Sequence, residues 1–159
     1  MRDRTEPVDE SELVARGRAI VDANLYMVLG TADADGRPWA SPVYFAPDGY
    51  REFYWVSKPE RTHSRNIELR PEISIVIFDS SVPISTGEGV YMTAVARQLV
   101  GDDRDSGITV FSRRSILHGG GEWTLRDVEP PAQLRLYRAT AADQFVLSRD
   151  DNRIPVRLS

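Results

Sequence analysis

The densest set of chemically capable side chains lies in Ser57-Lys58-Pro59-Glu60-Arg61-Thr62-His63-Ser64-Arg65-Asn66. The chemistry this set suits is anion capture. A guanidinium offers phosphate oxygens a planar fork, a lysine offers a point charge, and hydroxyls complete the shell. The pattern changes here from strand-like to helical, and a helix N-terminus adds unpaired N–H groups at the positive end of its dipole. Lys58 is the chain's single lysine, every other one of the 20 basic residues being arginine. Such a bias accompanies GC-rich genomes and does not by itself mean function. The competing explanation is a solvated helix start in which Ser57 and Glu60 form a capping box.

Other chemistries lack their residues. With no cysteine there is no thiol nucleophile, disulfide or thiolate metal site. The phosphate-loop, zinc-protease and hydrolase nucleophile-elbow patterns are absent. Gly87-Glu88-Gly89 begins a dinucleotide-binding pattern, but Met92 stands where its third glycine belongs. His118-Gly119-Gly120-Gly121 resembles a lipase oxyanion loop; without a nucleophile elbow it reads as a mobile loop. His63 and His118 are the only histidines, too few for an all-histidine site, so no metal is expected. Against 24 acidic residues the balance is −4, which argues against nucleic acid as a partner. No apolar run approaches the ~18–20 residues of a membrane span. The charged N-terminus has no apolar core of a secretory signal, so a cytoplasmic location is expected.

The elements that must position the basic stretch follow from hydrophobic period. The 159 residues suit one domain, with no repeat or linker. The ends, 1–8 and 148–159, read as less ordered. A helix is expected over Glu10 to Ala23, with Asp9 and Glu12 as a capping box. Strands follow at Tyr26 to Asp33, Trp39 to Phe45 and Glu52 to Val56. The turns Asp33-Ala34-Asp35-Gly36 and Asp48-Gly49 join them into an antiparallel meander. Arg61 to Arg70 reads as a short helix stopped by Pro71. Ile73 to Phe78 and Val90 to Val100 are strands, Asp103 to Arg114 a weaker helix, and Gln133 to Ala139 and Gln144 to Leu147 late strands. The sum is a mostly β chain, favouring a closed or split β-barrel with helices at its rim.

In this order the chain resembles the pyridoxamine 5′-phosphate oxidase-like, FMN-binding split barrels. The residues that carry the resemblance are Ser41-Pro42-Val43-Tyr44-Phe45-Ala46, Phe53-Tyr54-Trp55-Val56-Ser57, Thr62-His63-Ser64-Arg65-Asn66-Ile67 and Arg70-Pro71-Glu72-Ile73-Ser74-Ile75-Val76-Ile77. The resemblance covers roughly Leu25 to Val100 well and the rest loosely. It implies a homodimer with a flavin in a cleft between two barrels. Ser41 to Ala46 match the strand that lines the ribityl chain and ring, and Val56 and Ser57 the pair that ends the next strand. Thr62 and His63 match an Arg-Lys pair that grips the phosphate; Arg65 and Asn66 match a basic-x-Arg-Asn pattern. The chain departs from the oxidases where they carry basic residues, at Ser41, Ala46, Thr62 and His63, and it lacks their C-terminal Arg-x-His. Phosphate charge would then fall to Lys58, Arg61, His63 or Arg65.

The resemblance thus implies an FMN-dependent oxidoreductase acting on a small molecule, its site comprising Ser41, Pro42, Val43, Tyr44, Trp55, Val56, Ser57, Lys58, Arg61, Thr62, His63, Ser64, Arg65 and Asn66. Hydride chemistry belongs to the flavin, so no dedicated acid–base residue need appear. The deazaflavin coenzyme F-420, with its long anionic tail, is the alternative cofactor. A non-catalytic flavin or haem module, with His63 as axial ligand or hydrogen-bond donor, is the alternative from another class, and a structural protein that has lost its cofactor is a fourth. Trp39, Tyr91 and Trp123 are candidates for aromatic lids or for ordinary packing.

Overall fold

The computed structural model describes residues 9–159; the expected low order of 1–8 lies outside these residues. The first helix, α1 (Glu10–Ala23), starts on Asp9, whose carboxylate accepts from Ser11 N at 2.9 Å. This bond comes from two residues on, so the cap differs from the expected box with Glu12. Leu13, Gly17, Ile20 and Val21 form its buried face.

Strands β1 (Tyr26–Ala32) and β2 (Pro38–Tyr44) pair antiparallel, Leu29 opposite Ser41. The turn between them closes as expected. Asp33 Oδ1 accepts from Asp35 N and Arg37 N, each at 2.9 Å, and Gly36 takes a φ of 83° that favours glycine. Where one strand through Phe45 was expected, the chain bends after Tyr44 and resumes as β3 (Ala46–Asp48), which pairs with β4 (Glu52–Ser57). Then come α2 (Thr62–Leu69), β5 (Glu72–Phe78), β6 (Gly89–Gln98) and α3 (Gly101–Leu117). The last of these extends the expected helix at both ends.

The two late strands are one, β7 (Arg135–Leu147), followed by β8 (Arg153–Val156). Ala141-Ala142-Asp143 has little strand propensity. Pairing overrides it: β6 pairs with β7 between Tyr137 and Val146, while β4 takes its first half and β8 its last residues. The β6 register shifts between Met92 and Ala94, and Thr93 Oγ1 there accepts from Asp143 N at 3.1 Å. The segment 148–159, expected to be less ordered, contains β8 and a fully buried Leu158 whose N–H donates to Gln144 Oε1 at 3.1 Å. Its alternating charges hide that anchor.

The sheet order is β2-β1-β5-β6-β7-β4-β3, with β8 beside β7, all antiparallel. Curled on itself, it is a mostly β split barrel. Its interior holds Met27, Leu29, Phe53, Trp55, Ile73, Ile75, Ile77, Val90 and Met92, with Leu13 and Val21 from α1 and Ile67 from α2. Each fully buried side chain of this size contributes about 1.5–3 kcal/mol. A second cluster joins Ile108 and Phe111 of α3 to Ala46, Tyr54 and Leu136. Gly107 allows that approach, since a Cβ there would lie 2.7 Å from the Tyr54 ring. Among the described residues no helix is long and apolar enough to cross a membrane.

Candidate functional site

Where β2, β4 and the start of α2 meet, they enclose a cleft of about 510 Å³ lined by Tyr26, Trp39, Ser41, Pro42, Val43, Tyr44, Val56, Ser57, Arg61, Thr62 and His63. The meeting follows from the strand ends. Ser41 lies mid-strand in β2, Ser57 is the last residue of β4, and His63 sits in the first turn of α2. His63 lies between the two serines: Nδ1 is 3.0 Å from Ser41 Oγ and Nε2 is 2.8 Å from Ser57 Oγ. The Ser57–Glu60 capping box is therefore not what forms. Arg61 is the N-cap, with no side-chain cap, and the Ser57 hydroxyl turns to the imidazole.

His63 is only 7% exposed. Burial, reinforced by the Arg61 charge, holds its pKa below the usual histidine value, so the ring is neutral near pH 7. Tyr44 has its pKa raised, first by burial. Its hydroxyl meets His118 Nδ1 at 2.8 Å, and its ring is edge-on to Tyr26, Phe111 and His118. Helix α2 is pinned by Asn66, whose amide donates to Thr31 Oγ1 at 3.0 Å.

Of the expected site residues, Ser41, Pro42, Val43, Tyr44, Val56, Ser57, Arg61, Thr62 and His63 converge on the cleft. Lys58 lines an adjacent groove of about 580 Å³, with Glu60, Arg61 and Arg135. Trp55 lies wholly in the core, stacked on Tyr137 with ring centroids 5.6 Å apart. β4 buries Phe53, Tyr54 and Trp55 in succession, on both faces: Trp55 shares the barrel interior with Phe53, while Tyr54 packs in the second cluster. Ser64 and Asn66 are buried on α2, the Ser64 hydroxyl without a protein hydrogen-bond partner, and Arg65 is exposed.

Among the lid candidates Trp39 lines the cleft, whereas Tyr91 lies under the Arg153 guanidinium and Trp123 packs on Phe111. The glycine loop after α3 is tied to it: Ser115 Oγ donates to Gly121 O at 2.8 Å and Trp123 N to Ser112 Oγ at 2.8 Å. Sequence reasoning missed Tyr26, His118 and Arg135. Tyr26 had a signal, since the meander register puts it opposite Tyr44. The other two arrive through long-range packing.

The arrangement offers a neutral cradle of hydroxyls and imidazole, a guanidinium at its rim and aromatic walls. Comparison with known proteins identifies the fold. HutZ, the haem storage protein of Vibrio cholerae, is 21% identical over 81% of this chain and 90% of its own, with a TM-score of 0.64. A haem-binding protein from Mycobacterium smegmatis is 15% identical with a TM-score of 0.70; this chain covers 94% of itself but 58% of that chain. An F420 reductase is 19% identical over 84% of this chain and 96% of its own, with a TM-score of 0.59. At such identities the likeness shows the fold alone. No curated protein matches. The pyridoxamine 5′-phosphate oxidase family model matches residues 13–143, and the chain belongs to that family.

Proposed function

We propose that the cleft binds a flavin as FMN and that the chain is an FMN-dependent oxidoreductase acting on a small molecule. The observation that carries this reading is the Ser41–His63–Ser57 cradle, with Arg61 beside it in one cleft. Hydroxyls, imidazole and a guanidinium are the donors a phosphate monoester needs, and about 510 Å³ lies within the ~300–1,000 Å³ usual for small-molecule sites. When bound, the flavin supplies hydride and electron transfer. The chain's own residues would bind and orient it: Ser41, Ser57 and His63 would hold the phosphate, together with Arg61 of the same cleft. Pro42, Val43 and Val56 would give the ring an apolar surface, and Tyr26 and Trp39, which line the same cleft, would limit water.

The same reading makes the protein a homodimer. On the outer face, Gly30, Thr31, Trp39, Ser74, Thr93 and Val95 line a largely apolar groove of about 750 Å³. Trp39 is 52% and Val95 51% exposed there. A second copy is the occupant we assign to this face.

The deazaflavin F-420 is the second reading, favoured by the groove of Lys58, Arg61 and Arg135, which continues from the cleft through Arg61. For haem, His63 would have to give up a serine bond at either nitrogen.

The test is to purify the protein, record its visible spectrum, identify any released molecule by mass, and titrate with FMN, F-420 and haemin. FMN binding that weakens at least tenfold in Ser57→Ala/Arg61→Ala supports the proposal. Binding of F-420 without FMN, a Soret band alone, or FMN binding untouched by that variant overturns it.

A further inference from the structure

The cradle has a property that depends on how many protons it holds. A neutral imidazole has one N–H and one bare nitrogen, and a hydroxyl can donate one hydrogen and accept others. His63 bonds to a serine hydroxyl at each nitrogen, Ser41 at 3.0 Å and Ser57 at 2.8 Å. With a neutral ring, one serine must donate its proton inward to the bare nitrogen. Only the other serine, which accepts from the ring N–H, keeps its O–H free to point into the cleft. With an imidazolium both nitrogens donate, both serines accept, and both O–H groups are released toward the cleft. A single proton on His63 therefore doubles the hydroxyl donors presented to an anion and adds a positive charge behind them.

We propose that His63 is a proton-coupled anion receptor, which takes up a proton from solvent when the phosphate of a ligand enters the cleft. The inference rests on the flavin reading for its ligand, and on the serine–imidazole–serine geometry for its mechanism. Before binding, the neutral ring is the stable form. No carboxylate bonds it, it is buried, and the Arg61 charge opposes a second cation. The other ionisable groups around the cleft are Tyr26 from β1 and Tyr44 from β2, with His118 and Arg114 from the end of α3 behind Tyr44, and Lys58 and Glu60 on the turn before Arg61. A phosphate dianion reverses this balance, because an opposite charge within ~4–6 Å favours the protonated ring. No covalent bond changes: one solvent proton moves to one ring nitrogen and leaves with the ligand.

The test uses the whole chain. FMN is titrated calorimetrically into wild type and His63→Gln, in buffers of different ionisation heat, from about pH 7 to about pH 9. In that range the phosphate monoester, with its second pKa near 6, is already mostly dianionic. We expect wild type to take up more protons per FMN than His63→Gln. We also expect its affinity to fall with rising pH, by up to about tenfold per unit, while that of the variant stays flat. Riboflavin, without the phosphate, should show no uptake. Equal proton counts in the two proteins, or a flat wild-type profile, overturn the proposal. If FMN binds at no pH, the flavin reading itself fails. Inorganic phosphate then decides the receptor, through the His63 ring titration followed by NMR in wild type: a pKa raised by phosphate supports it, and an unmoved pKa overturns it. That measurement also decides if His63→Gln does not fold.

Discussion

Replacing Arg114 by methionine tests how the wall of the cleft is held. Helix α1 has no basic residue in its last turn, and its own C-cap, Asn24, meets only the Ile20 carbonyl, to which its amide donates at 2.8 Å. Arg114, from α3, supplies the cation: its Nη2 donates to Asn24 O at 3.0 Å, Val21 O at 3.3 Å and Asp22 O at 3.5 Å. The same guanidinium lies 4.9 Å from the centroid of Phe45, just after β2. Hydrogen bonds from a charged donor contribute about 1.5–3 kcal/mol. A cation at a partly buried helix C-terminus contributes up to ~2 kcal/mol, and a cation over an aromatic face about 0.5–2 kcal/mol. One group serves all three, so these do not sum. Burial offsets part of the gain, pulling the Arg114 pKa down, and Nε has no partner. Methionine keeps much of the volume and loses the charge. The expected loss is about 3 kcal/mol, read by urea unfolding at fixed protein concentration, with Tm lower by about 6–12 °C. Arg114→Lys keeps the charge without the fork and should recover part of the loss. A loss below about 1 kcal/mol for Arg114→Met, or equal losses for both variants, would refute the reasoning.

Leu158→Ala should cost about 2–4 kcal/mol in the same assay, because the side chain is fully buried against Gly17 and Val146; a neutral result would mean the C-terminus does not dock. Gly107→Val should destabilise by about 1–3 kcal/mol, since the new side chain meets Tyr54 and Leu136; an unchanged melting temperature would contradict that packing. His63 makes stability acid-sensitive. Its folded pKa lies below the unfolded 6.5, lowered by burial first and Arg61 second. Above that value both states are neutral and nothing changes. As pH falls below it the unfolded chain protonates first, and stability drops until the folded pKa is passed. Urea midpoints at several pH values should show a shallower acid limb in His63→Gln, and parallel limbs would contradict the assignment.

How far the sequence reveals this molecule can be judged residue by residue. The helices and the β1–β2 turn were legible because the information is local: Asp33 and Gly36 act within four residues, and Pro71 stops α2. The alternation along β6 was legible too, with Val90, Met92, Ala94 and Ala96 inward. Illegible parts are those decided by partners far along the chain. Ala141-Ala142-Asp143 is strand only because β6 lies beside it, and Leu158 is core only because Gly17 leaves it room. At the site, the basic stretch was visible and its internal order was not. Nothing in the spacing shows that His63 bridges two serines, one 22 residues before it and one 6 residues before it. Nor does it show that Arg135 joins Lys58.

Trp39 has a consequence of its own. It lines the cleft on one side and the outer apolar groove on the other. Occupants of the two places therefore share one side chain, and its rotamer enters both binding free energies. Linkage then requires reciprocity: whatever factor a ligand in the cleft applies to association of two chains, association applies to the ligand. With the proposed ligand and second copy in these two places, the protein's ligand affinity would become a function of its own concentration. Dilution and ligand titration would then be two ways of moving along one equilibrium.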